Sequence, residues 1–108
     1  MALTPAGGDL GRTSDLYIYG TCTTTCTVFR IYRRRLFLQS ASNDVRYHVY
    51  CDEQSSIPAS GDAAPSDYIE YDAGDSGTTI ESPNGRIPFR VAIWGAAGGE
   101  TIRAEAKA

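Results

Sequence analysis

From Leu16 onward, short apolar runs alternate with clusters of turn residues, and no window shows the apolar spacing of a capped helix. Leu16-Tyr17-Ile18-Tyr19 is a short run closed by Gly20. Over 27–32, Phe29 and Ile31 fall on one face of an extended chain, and Val28, Arg30 and Tyr32 on the other. Leu36-Phe37-Leu38 follows. The cleanest alternation spans 45–51, with Val45, Tyr47, Val49 and Cys51 inward and Arg46, His48 and Tyr50 outward. Segments 68–72, 78–81, 87–94 and 101–105 complete the set, with Ile87, Phe89, Val91, Ile93, Ile102 and Ala104 inward. About eight short strands separated by Gly, Pro and Ser turns predict an all-β fold, an antiparallel β-sandwich. Only the Ala-rich tail after Glu100 has a helical composition.

Two hairpins are expected. Five polar residues, 40–44, separate 36–38 from 45–51, and Asn84-Gly85 offers two positive-φ positions between 78–81 and 87–94. Residues 52–66 lack periodicity and read as a long surface loop, a feature that is commonly functional or mobile. Residues 1–14, rich in Gly, Pro and Thr, read as an extended N-terminal arm preceding one domain over 15–108. The arm has no basic stretch followed by an apolar core, so it does not read as a secretory signal. No run is long and apolar enough to predict a membrane span.

Composition narrows the function classes. At 108 residues the chain has room for one modest core and little for a catalytic cleft between domains. The net charge of −3 hides an uneven distribution. Arg12, Arg30, Arg33, Arg34, Arg35 and Arg46 dominate the first half, whereas 51–85 carries Asp52, Glu53, Asp62, Asp67, Glu70, Asp72, Asp75 and Glu81 with no Lys or Arg. All the basic residues but Lys107 are arginine, which suits fixed, planar contacts better than mere solvation. Such segments can pair within the fold or between copies arranged head to tail.

Candidate chemistry is sparse. Cys22 and Cys26 with His48 and Cys51 are donor types that hold zinc, but residues three apart on a strand face opposite ways. One disulfide among the three thiols, or buried free thiols, are the simpler readings. The same geometry counts against a Cys51–His48 nucleophile pair, and no phosphate-binding loop, dinucleotide fingerprint or nucleophile elbow is present. Asp67, Glu70, Asp72 and Asp75 are hard oxygen donors without Ca²⁺-loop spacing. Arg33-Arg34-Arg35 among Phe29, Tyr32 and Phe37 has the ingredients of a single-strand nucleic-acid site, opposed by a pI near 5.0. No cofactor, resident metal or catalytic residue is expected.

What remains points to association. Tyr17, Tyr19, Tyr32, Tyr50 and Trp94 fall opposite the predicted core, where aromatics anchor interfaces or stack on sugars. The expected function is that of a non-enzymatic structural or accessory subunit, such as a capsid decoration (cement), tail or fibre protein of a virion, or an intracellular assembly component. It would pair with itself or with a neighbouring structural protein through Arg30, Arg33, Arg34, Arg35, Arg46, Tyr17, Tyr19, Tyr50 and Trp94. The alternative is a carbohydrate-binding module using the exposed Tyr and Trp side chains.

Overall fold

A computed structural model describes residues 7–108, so positions 1–6 of the expected arm lie outside the described residues. Among the described residues, nine strands form two sheets: β1 (Gly8–Leu10), β2 (Tyr17–Thr21), β3 (Thr27–Ile31), β4 (Arg35–Gln39), β5 (Val45–Cys51), β6 (Ile69–Glu70), β7 (Thr78–Glu81), β8 (Phe89–Gly95) and β9 (Thr101–Lys107). One sheet has the order β1-β3-β8-β5-β6 and the other β2-β9-β4-β7. β2 to β9 pair antiparallel throughout, whereas β1 joins the edge of β3 in parallel. Gly8–Leu10 of the expected arm are therefore built into the sheet, and Leu10 is fully buried.

The pairing obeys one rule. β5 pairs with β6, β4 with β7, β3 with β8 and β2 with β9, so the chain makes one long antiparallel ribbon closed at the β5–β6 end. Rolling that ribbon brings β4 against β9 and β5 against β8, which completes both sheets. This is the strand order of a jelly roll. Both predicted hairpins are corrected by it. β4 and β5 lie in different sheets, as do β7 and β8, so 40–44 and 82–88 arch across the core instead of reversing within a sheet. Asn84 and Gly85 do adopt positive φ, 55° and 70°, but in a turn that feeds the arch.

The alternation sets the layers. Ile18, Phe29, Ile31, Leu36, Leu38, Val45, Tyr47, Ile80, Phe89, Val91, Ile93, Ile102, Ala104 and Ala106 meet between the sheets in one apolar cluster. Ile87, expected inward, is 46% exposed because β8 begins at Phe89 and Ile87 still belongs to the arch. The Ala-rich tail is a strand: its alanines sit on one side of β9, where small side chains fit the core and leave the charged ones outside.

A second apolar cluster lies on the outer face of the five-stranded sheet. Cys26, Tyr50, Ala92 and Trp94 are buried there with Val28, Ile57 and Ala64 packed against them. Residues 52–68 cover them as a strap. Its middle is pinned by Gly61 N–H to Cys26 O (2.8 Å), by Cys26 N–H to Asp62 O (3.1 Å), by Val28 N–H to Ser60 Oγ (2.8 Å) and by a bridge between Thr25 and Ala63.

Candidate functional site: an open aromatic groove on the four-stranded sheet

The expected interface residues divide among three environments. Trp94 and Tyr50 do face away from the main core, but at 3% and 7% exposure they are buried beneath the strap. Tyr68 meets the Trp94 ring edge-on at 6.1 Å, and the Arg46 guanidinium lies 4.4 Å from the Tyr68 ring centre. These two aromatics are not available as surface anchors in this fold.

The arginines are largely engaged within the chain. Arg30 Nη2 and Arg90 Nε donate to the two oxygens of Asp52 at 2.5 and 2.9 Å. Arg35 bonds both oxygens of Glu81 (2.9 and 3.2 Å), Arg46 approaches Glu70 at 3.7 Å, and Arg86 reaches Glu53 at 2.6 Å. The basic first half thus meets the acidic segment of its own chain. Arg33 donates to Gly11 O at 3.4 Å, and Arg34 is exposed. Phe29 is fully buried, so the arginine run does not form a stacking strip with it.

The thiols are likewise separated. Cys22 packs in the core between the sheets and Cys26 beneath the strap, and all three cysteines are free. Burial, reinforced by Glu100, raises the Cys22 thiol to about 12; burial, then Asp62, raises Cys26. Among the described residues, no group of three or more His, Cys, Asp or Glu side chains is gathered as a metal site, at Cys22, Cys26, His48 and Cys51 or at Asp67, Glu70, Asp72 and Asp75. Among the described residues, no helix is long and apolar enough to cross a membrane.

Tyr17 and Tyr19 are different: they are 59% and 54% exposed, two residues apart on the same side of edge strand β2. Register places Tyr17 beside Glu105 and Tyr19 beside Arg103 on β9, and β4 then brings Phe37 beside Glu105 and Gln39 beside Arg103. The outward row thus reads Tyr17–Glu105–Phe37 and Tyr19–Arg103–Gln39 across three strands. These side chains, with Lys107, line a groove of about 490 Å³. A second hollow of about 400 Å³ shares Tyr19, Gln39 and Arg103 and extends to Ser40, Asp75 and Thr101. Together they follow β9 from Lys107 to Thr101, a length of roughly 20 Å at the usual strand rise.

The walls are held from both sides. Lys107 Nζ lies 5.4 Å from the Phe37 ring centre and 4.0 Å from Glu105. Gln39 Nε2 donates to Asp75 O at 2.5 Å. At Gly77, with φ of +79°, a Cβ would run into the Phe37 ring, so the glycine leaves room for that wall. Phe37, Gln39 and Arg103 were not among the expected interface residues. Their signal lay in β9: with Ile102 and Ala104 inward, Arg103, Glu105 and Lys107 must share the outward face.

Fold and groove together define a jelly-roll domain with one outer face sealed by its own strap and the other open, aromatic and polar. No protein-family model, curated protein or solved structure matches the chain.

Proposed function

We propose that the chain is a non-enzymatic recognition domain, a jelly-roll β-sandwich that binds carbohydrate on the outer face of its four-stranded sheet. The observation that carries this reading is the unequal treatment of the two outer faces. A whole strap covers Trp94 and Tyr50, while Tyr17 and Tyr19 stand bare beside a long groove. Exposed aromatics in a concave, partly polar surface are the usual makings of a binding site. A flat tyrosine ring gives apolar contact to the C–H face of a sugar, and Gln39, Arg103 and Glu105 offer donors and acceptors for its hydroxyls. Jelly rolls serve as lectin domains and as capsid domains, so the fold admits the reading without selecting it.

The second reading keeps the chain as a structural or accessory subunit of a larger assembly, a capsid decoration, tail or fibre component. Its support is that the tyrosines lie on an edge strand, β2, whose outer side no other described strand pairs. A neighbouring chain could add a strand there and cover both rings. The head-to-tail pairing of basic and acidic surfaces loses its main argument, because Arg30, Arg35 and Arg46 already have partners within the chain.

One experiment separates the two. The wild type and a Tyr17→Ala, Tyr19→Ala variant are compared by amide NMR against a panel of soluble oligosaccharides and by native mass spectrometry at graded salt. The carbohydrate reading expects a monomer with shifts confined to β2, β4 and β9, and an affinity reduced about tenfold or more in the variant. Oligomers that the double substitution dissolves, with no response to any sugar, would establish the assembly reading instead.

A further inference from the structure

We infer that the groove is selective for an acidic oligosaccharide, with the Arg103 guanidinium reading a sugar carboxylate. The inference rests on the carbohydrate reading above and adds the class of ligand. Its starting point is the charge count along the groove wall. Arg103, Glu105 and Lys107 line the first hollow, and Asp75 lines the second with Arg103, its backbone carbonyl accepting from Gln39. Lys107 lies against Glu105 at 4.0 Å and over Phe37, and nearby Arg35 is held by both oxygens of Glu81 and by the Ala108 carbonyl. Arg103 is exposed, lies in both hollows, and has no carboxylate within 4.0 Å among the described residues. Arg12, Arg30, Arg35, Arg46, Arg86 and Arg90 each have one; of the other arginines without one, Arg33 donates to Gly11 O and Arg34 lines neither hollow.

Position strengthens the contrast. Arg103 lies on a central strand, between Tyr19 on β2 and Gln39 on β4, at the point where the two hollows meet. Any chain lying along the groove must pass it. A guanidinium offers a planar fork of donors that matches a carboxylate in two-point fashion. The rings at Tyr17 and Tyr19, about 7 Å apart along the strand, would support successive sugar units, the one on Tyr19 directly beside Arg103. A uronic-acid chain carries both features: an apolar ring face to stack, and a carboxylate on each unit within reach of a single fixed cation.

The test uses a tetramer of galacturonic acid and its fully methyl-esterified counterpart, which keeps the rings and loses the charge. Both are titrated into the full chain and into Arg103→Gln and Arg103→Lys variants, with polyglutamate of matched charge as a non-sugar anion. The expected result is that the acid form binds the wild type about tenfold or more tightly than the ester. Arg103→Gln removes that preference, and Arg103→Lys keeps part of it. Because Arg103 is exposed, unchanged melting temperatures verify that the variants are folded. Equal binding of acid and ester, unaffected by Arg103→Gln, overturns the acidic selectivity and leaves the carbohydrate reading standing. Polyglutamate binding as tightly as the sugar acid reduces the site to charge attraction and also overturns the inference. Binding of neither tetramer, with no response across the wider sugar panel, removes the carbohydrate reading itself.

Discussion

Cys22 and Cys26 flank a short loop only four positions apart, yet each sits in a different apolar cluster. The consequence is chemical. A thiol reacts as its thiolate, and burial followed by the charge of Glu100 holds Cys22 at about 12, while burial followed by Asp62 raises Cys26. Cys51, at the end of β5, is half-buried and lies in neither cluster. A thiol reagent at pH 8 is therefore expected to label the folded protein rapidly at one position, Cys51, and at all three cysteines once it is denatured. Mass spectrometry of the labelled peptides measures this directly. Fast labelling of Cys22 in the native state would mean that the core between the sheets opens readily. The thiols show how far residue-level reading reaches: the alternation identifies sides, but two residues on opposite sides of a sheet can both be buried.

At the level of elements, strand positions were readable and their partners were not. Val45, Tyr47 and Val49, and the inward set Phe89, Val91 and Ile93, stand where the alternation puts them, because a sheet with one wet face must repeat every second residue; Cys51, read as inward, lies in neither apolar cluster. Pairing is set by the whole ribbon, and a local turn signal cannot report it. Asn84-Gly85 takes the backbone angles expected of it and still serves an arch. The strap escaped for a related reason: 52–68 has no periodicity because it packs through scattered small and apolar residues, Ile57 and Ala64 among them. Tyr17 and Tyr19 were correctly read as outward and remain in the candidate site, whereas the same reasoning for Tyr50 and Trp94 failed once the strap covered them. This cover can be measured. Trp94 is the only tryptophan, so its emission should be blue-shifted and weakly quenched by acrylamide. Trp94→Ala is expected to cost about 3–5 kcal/mol in denaturant unfolding, the range for a buried aromatic truncated in a packed site. A loss within about 0.5 kcal/mol, the range of surface substitutions, would show that the strap contributes little.

Over the whole molecule, the separation of charge along the sequence becomes a device for folding the chain onto itself. The acidic stretch begins at Asp52, where β5 ends and the strap starts, and that carboxylate takes Arg30 from β3 and Arg90 from β8. Arg30 and Arg90 are directly opposite in the β3–β8 ladder, an arrangement that is unfavourable for like charges unless an anion lies between them. Asp52 fills that place and ties the start of the strap to the sheet it covers. The hydrogen bond from Arg30, with that from Arg90 and against the opposing effect of burial, holds its carboxyl below the ordinary range. A lowered folded value means a contribution fully present above the unfolded value of about 3.9 and lost as pH falls through the folded value. Asp52→Asn should therefore lower stability by about 1 kcal/mol at neutral pH, a modest figure because Arg30 and Arg90 are partly exposed and solvent screens the pair. The difference between variant and wild type should stay level down to about pH 5 and close below pH 4, as the wild-type carboxyl takes up its proton. Raising the salt should narrow the gap at pH 7, and adding Arg90→Gln to the variant should recover part of the loss by removing one of the two facing charges. Urea midpoints from pH 7 to pH 3 test the whole chain of reasoning. A gap that persists unchanged at pH 3 would assign the role of Asp52 to its shape instead of its charge.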